Sequence, residues 1–167
     1  VTVGVGRRVV EVAGAPVPDW LAPLPAFSID RLQPRWSGGD LLLQICATSP
    51  TTVAHAQRRL LAGAAGLASV RWVQRGFREP HEGPGVPMRN LFGQVDGTVQ
   101  PDVAGLDADL LWSADAGPAW LRGGSSVVVR RIEMDLDGWD RVDRLSRENA
   151  IGRRLATGAP VTGGGLD

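Results

Sequence analysis

A chain of 167 residues that is 43% hydrophobic and 22% charged has a globular composition, with length for one domain or parts of two. Its 18 basic and 18 acidic residues cancel, so no net field draws it to nucleic acid or an anionic membrane surface, and nucleic acid is not an expected partner. Every basic residue is Arg, so Schiff-base lysine chemistry and a P-loop lysine are closed to it.

Residues 1–5 alternate small and β-branched side chains and run into Gly6 and the apolar pair Val9-Val10, the pattern of a strand leaving into a turn. Between residues 15 and 34 lie Pro16, Pro18, Pro23, Pro25 and Pro34, a density that denies helix and central strand and predicts an ordered loop. Ser37-Gly38-Gly39-Asp40 is a turn signal, and the apolar run over 41–47 predicts a strand. That run carries Cys46, expected as a packed thiol; as the lone cysteine it excludes an internal disulfide framework and a cysteine-rich metal site. Ser49-Pro50-Thr51-Thr52 is a helix-start cluster before an Ala- and Leu-rich segment, so a helix is expected over 53–67, with Arg58 and Arg59 on its polar side. Alternation over 69–74 predicts another strand, with Val70 and Trp72 on one face. Strand, turn, strand, helix, strand is the order of the second half of a β-α-β-β-α-β ferredoxin-like unit.

Gly and Pro recur from 78 to 124 without a persistent period, which predicts a long connection with short helical turns near 107–112; connections of that length usually carry function. A strand over 125–134 and an amphipathic helix over 139–155, marked by Val142, Leu145 and Ile151, begin a second β-α unit. Two half-units predict an α+β fold with internal duplication. The opening inside a strand and the glycine-rich end at 163–167 lead us to expect that both ends are cuts in a longer protein. No stretch approaches the roughly 18 apolar residues of a membrane span.

Several short motifs are better explained structurally. Gly4-Val5-Gly6 lacks the third glycine of a dinucleotide fingerprint, where Val9 stands, and no α/β pattern follows. Asp135-Leu136-Asp137-Gly138-Trp139-Asp140 lacks the ligand spacing and terminal Glu of a calcium loop and is expected as a solvated strand-to-helix turn. His55 and His81 have no partner at metal-ligand spacing. The six Trp are expected to pack in core and loops rather than to serve as electron-hopping stations, with Trp139 structural. In Gly93-Gln94-Val95-Asp96-Gly97-Thr98 an acid stands between glycines that let the backbone approach something closely; by spacing alone, Asp-Gly there is a turn.

That segment, preceded by Arg89-Asn90-Leu91, resembles the GxxDG motif of the dye-decolorizing (DyP-type) haem peroxidases. The similarity runs in order along nearly the whole chain. Leu24-Pro25-Ala26-Phe27 with Asp30, the stretch from Gly38 to Ala47, and the stretch from Val70 to Phe77 are similar to the family's first domain. Gly123-Gly124-Ser125, Val128-Val129-Arg130-Arg131-Ile132, Asp135, Trp139-Asp140, Ile151-Gly152-Arg153-Arg154 and Thr157-Gly158-Ala159-Pro160 are similar to its second. Gln94-Val95 departs from the family's commoner aromatic-basic pair, and Ser126 stands where the family often has an aromatic.

The resemblance implies a duplicated ferredoxin-like fold of the dimeric α/β barrel type, truncated at both ends. Residues 1–84 would be a partial N-terminal domain, 85–123 a connecting segment carrying the GxxDG loop, and 124–167 the start of the C-terminal haem-binding domain. It further implies haem b as cofactor, with hydrogen peroxide and a dye or other organic electron donor as partners. Asp96 takes the distal acid/base role: a carboxylate beside the iron accepts a proton of peroxide and returns it to the leaving oxygen, so that O–O cleavage expels water. Gly97, Thr98 and Val99 would lie against the macrocycle, and Arg153 would pair a haem propionate through its fork. The family's axial histidine and distal arginine lie beyond Asp167, and neither His55 nor His81 falls in the right segment to replace the histidine. Family members are either cytoplasmic or exported by the twin-arginine route, and the sequence leaves compartment and homo-oligomerisation open. The competing functions are a haem-binding or haem-processing protein of the same fold, and a cofactor-free ferredoxin-like dimerisation module in which Asp96 caps a turn.

Overall fold

The computed structural model describes the chain except for residues 79–85, 100, 103, 104, 106, 107, 114–116 and 164–167, so His81 lies outside the described residues. The described chain divides into two compact units: Val1–Gln74 with Trp112–Val129, and Arg75–Leu111 with Arg130–Asp167.

In the first unit, β1 (Thr2–Val5) pairs antiparallel with β2 (Leu41–Gln44), in the register Thr2 to Gln44 and Val5 to Leu41. Both strands fall where the alternation and the apolar run put them. Gly4 has a reason to be glycine, since a Cβ there would sit 3.2 Å from the Leu42 Cβ. The ladder closes where the Gly6 N–H donates to the Asp40 carbonyl at 2.8 Å. The expected turn before β2 bends at Gly38 (φ +73°) and Gly39 (φ +149°), backbone that side chains rarely adopt.

After β1 the chain does not turn but enters the short helix α1 (Arg7–Val12), with Gly6 as N-cap and Val10 buried. A strand, Gly-Val-Gly and a helix do therefore occur in succession. The sheet is antiparallel, though, and offers no parallel crossover of the dinucleotide type. The proline-rich segment forms no helix or strand before a 3-10 turn at Pro34–Trp36.

The long helix α2 (Pro50–Gly63) begins at the predicted cluster: the Ser49 hydroxyl accepts the Thr52 N–H at 3.5 Å, and Pro50 occupies the first turn, where no amide donor is needed. It exposes His55, whose Nδ1 lies 3.4 Å from Arg58 Nη2.

Three expectations are corrected. Residues 69–74 and 125–134 are not strands, because the described residues form a single two-stranded sheet and neither segment has a ladder partner in it. Instead, side chains tie the first segment down: Arg71 Nε donates to the Ser37 carbonyl at 2.5 Å and Trp72 Nε1 to the Gly38 carbonyl at 3.1 Å. Cys46 is exposed rather than packed, because it lies past the end of β2, where none of the described residues covers it.

The second unit holds α3 (Ala108–Leu111), within the stretch expected to form helical turns, then α4 (Leu136–Asp140) and α5 (Arg144–Ile151). The single helix expected over 139–155 is thus two. The cause is Asp143, an N-cap in extended conformation whose carboxylate accepts from the Ser146 N–H at 3.0 Å and the Ser146 hydroxyl at 2.6 Å. α5 then stops at Gly152, at φ +78° in the left-handed region. Asp135 is the N-cap of α4, accepting the Gly138 N–H at 2.8 Å, so the stretch expected as a strand-to-helix turn is a capped helix start with no strand before it. Asp135→Ala should cost about 1 kcal/mol in urea unfolding. Exposed Asp137→Ala should stay within about 0.5 kcal/mol, and equal losses would show that the cap is idle.

Candidate functional site

Within the second unit, residues 88–96 form a small hairpin. The Asn90 N–H donates to the Gln94 carbonyl at 2.9 Å, the Asp96 N–H donates to the Met88 carbonyl at 2.7 Å, and Arg89 and Val95 form the antiparallel bridge between them. The turn is built by Asn90, whose Oδ1 accepts from the Phe92 N–H at 3.0 Å and the Gln94 N–H at 3.3 Å, and by Gly93 at φ +76°.

A second hairpin follows α5. The Arg153–Pro160 bridge, Arg154 N–H to Ala159 carbonyl at 2.8 Å and Val161 N–H to Gly152 carbonyl at 3.0 Å hold it. Two contacts join the hairpins. Arg89 donates through Nη1 to the Gly93 carbonyl at 2.9 Å and the Leu155 carbonyl at 2.6 Å, and through Nη2 to the Ala156 carbonyl at 3.3 Å. Gly158 (φ +76°) is so close that a Cβ on it would meet Val95 Cβ and Thr98 Cγ2, each at 3.0 Å.

Alternation then orders the first hairpin. Arg89 and Val95 face the second hairpin, while Gln94 and Asp96 belong to the opposite face. On that face Asp96 is exposed, and among the described residues its carboxylate accepts only the neighbouring Gly97 N–H, at 3.0 Å. Gly97 sits at φ +71°, and Val99 is 59% exposed. Thr98, half-buried, packs on Gly158, so the structure brings it to the Arg153 hairpin. Arg153 is half-buried and donates through Nη1 to the Gly158 carbonyl at 2.7 Å.

Sequence reasoning missed three residues that build this region. Arg89 carries the clamp, but its acceptors are backbone carbonyls up to 67 residues away, which no side-chain pattern announces. Glu148 is buried on α5, where its carboxylate accepts from Arg144 Nε at 3.0 Å and the Leu155 N–H at 2.9 Å, with Arg154 Nη1 at 3.6 Å. The one signal for it was the spacing of Arg144 and Glu148 by four on a helix. Gln94 is buried at 3% exposure. Trp139 is structural as expected: its Nε1 donates to the Phe92 carbonyl at 2.9 Å and the two rings meet edge to face at 5.0 Å.

Phe92, Arg89, Arg144, Arg147 and Leu155 border an open cleft of about 320 Å³ that includes neither Asp96 nor Arg153. Among the described residues, no three His, Cys, Asp or Glu side chains are grouped to hold a metal, and no helix is long and apolar enough to cross a membrane.

The family model described as Dyp-type peroxidase, N-terminal, matches residues 1–78, and that described as Dyp-type peroxidase, C-terminal, matches residues 87–165. The chain belongs to the DyP-type peroxidase family. It is 45% identical over 170 residues to a dye-decolorizing peroxidase of Thermobifida fusca, a match covering 96% of this chain and 40% of the relative. It is 38% identical over 153 residues to a deferrochelatase of Escherichia coli, covering 87% of this chain and 36% of that one. The crystal structure of a DyP-type peroxidase from Cellulomonas bogoriensis superposes with a TM-score of 0.90 at 53% identity, covering 99% of this chain and 47% of that one. This DyP-family chain therefore has the ferredoxin-like α+β fold and spans less than half the length of each of these proteins.

Two predictions follow from how the DyP hairpins are joined. Gly152→Ala and Gly158→Ala both place Ala at positive φ, at about 1–2 kcal/mol, but only Gly158→Ala also collides with Val95 and Thr98, for roughly 1–3 kcal/mol more. Equal unfolding free energies for the two variants would contradict the contact. Glu148 is held below the ordinary carboxyl value of 4.5, first by the Leu155 N–H and then by Arg144. A depressed folded value means the stabilisation is present above about pH 4.5 and lost as pH falls through the lower value. The melting-temperature gap between the natural chain and Glu148→Gln should thus be full at neutral pH and shrink in acid; a gap unchanged by acid contradicts it.

Proposed function

We propose that this chain is part of a haem-dependent peroxidase that uses hydrogen peroxide to oxidise dyes or other organic donors, with Asp96 as the acid/base on the distal side of haem b. The carrying observation is the exposed Asp96 carboxylate on a hairpin that Arg89 and Gly158 clamp from its other face. The residues present fit the cofactor. Asp96 has an uncovered carboxylate, Val99 offers exposed apolar surface three residues on, and Arg153 commits only Nη1, to the Gly158 carbonyl. On this reading 1–84 is the partial N-terminal module, 85–123 carries the loop, and 124–167 opens the haem-binding module.

Haem, when bound, supplies the iron at which the O–O bond is broken and the oxidising equivalents taken up by donors. The chain's own residues do the rest. Asp96 Oδ1 is oriented by the Gly97 N–H, so the carboxylate has a defined direction in which to accept a proton from peroxide and hand it to the departing oxygen. Gly97, with no side chain, and Val99, with exposed apolar surface, would face the ring. The uncommitted part of the Arg153 fork suits a propionate, and its Gly158 anchor fixes where it is presented.

A second reading, a haem-binding or haem-processing protein of the same fold, is favoured by the likeness to a protein named deferrochelatase. The exposure of Asp96 and its absence from the cleft suit a cofactor-free module as well. Haem titration separates these readings, since a Soret band with donor turnover supports the first, a Soret band with negligible turnover the second, and no Soret band the third. In the complete protein, Asp96→Asn should retain the Soret band and slow the reaction with peroxide by about 10²–10⁴-fold. A peroxide rate unchanged by that substitution removes Asp96 from the role.

A further inference from the structure

Gln94 is 3% exposed, and neither its Nε2 nor its Oε1 has a hydrogen-bond partner in the described structure. A buried amide without partners is costly, and native proteins satisfy the great majority of such groups with protein or with ordered water. The cost is doubled here because one end must donate and the other accept.

The position of Gln94 tells what could satisfy it. Its own backbone is fully engaged in the hairpin turn, with its N–H on Asn90 Oδ1 and its carbonyl on the Asn90 N–H. Val95, the next residue, faces Gly158. By the two-residue alternation of the hairpin, Gln94 therefore shares a face with Asp96, away from the clamp. A partner for Gln94 must be small enough to enter a closed position, and must both donate to Oε1 and accept from Nε2. A hydroxylic molecule of the size of water or hydrogen peroxide does both.

We propose that the Gln94 amide binds one such molecule, a structural water in the resting protein, on the Asp96 face of the hairpin. Gln94 is thereby a positioning residue: the bound molecule fixes the polar surroundings in which the Asp96 carboxylate meets peroxide. The binding site stands on the hairpin geometry alone, while its service to the reaction rests on the reading of Asp96 given above.

The test uses the complete protein. In a high-resolution crystal structure, an oxygen within about 3.2 Å of both Gln94 amide atoms, lost in Gln94→Leu, is the expected result. An amide found paired with protein groups, or with no density beside it, overturns the site. Gln94→Met, which keeps the side-chain length, replaces Gln94→Leu if the latter does not fold. The pre-steady-state rate with hydrogen peroxide reads the positioning role. The apolar variant should retain the Soret band and lose about tenfold in that rate, the size of one hydrogen bond made in the transition state, with a changed pH profile. An unchanged rate and pH profile overturn the link to Asp96 even if the water is seen. Failure of the function itself is read separately from Asp96→Asn, whose outcome does not alter whether an oxygen sits at Gln94.

Discussion

The second unit depends on one guanidinium. Arg89 lies in the hairpin that carries Asp96 and reaches the carbonyls of Leu155 and Ala156, while also holding the Gly93 carbonyl of its own turn. A planar fork with fixed donor directions can satisfy several backbone acceptors at once, and each bond carries the strength of a charged donor. Lysine, with a single ammonium point, could not span these acceptors in the same way. Remove the clamp and the Asp96 hairpin is joined to the Arg153 hairpin mainly by the close fit of Gly158 against Val95 and Thr98.

Polar anchoring also orders α5, through its Asp143 cap, the left-handed Gly152 and the buried Glu148, which binds the Leu155 amide just beyond the helix. Glu148 and Arg89 act on adjacent ends of the same segment: one takes the Leu155 N–H and the other takes the Leu155 carbonyl. Residue 155 is therefore fixed from both sides by charged partners.

What could be read from the sequence, and what could not, divides along the range of the interactions. Local signals were legible: the alternation of β1, the Gly38-Gly39 turn, the Ser49 start of α2 and the Asp135 turn all depend on neighbours within four residues. The same logic explains the misreadings of the 125–134 strand and the buried Cys46. Apolar runs state a preference for burial, but a strand needs a ladder partner and a buried thiol needs a cover, and neither is written in the run itself. The GxxDG segment was recognisable as a motif, while the residues that hold it were not, because Arg89 acts on carbonyls and Gly158 acts by lacking a side chain.

The hairpin shows why a site of this design needs its supports elsewhere. On the proposed reading Asp96 and Gln94 hold hydrogen-bonding capacity for a ligand, and so contribute little to their own placement, which supporting residues must supply. Among the described residues the Asp96 carboxylate makes one bond, to its neighbour, and the Gln94 side-chain amide makes none. Their positions must therefore be set through the backbone, from the other face. Arg89, Asn90 and Gly158 do this by binding carbonyls, by closing the turn and by admitting Val95 at van der Waals contact. With one face spent on anchoring, the Asp96 carboxylate is left with one bond and, among the described residues, the Gln94 side-chain amide with none, and the roles proposed for them draw on that spare capacity.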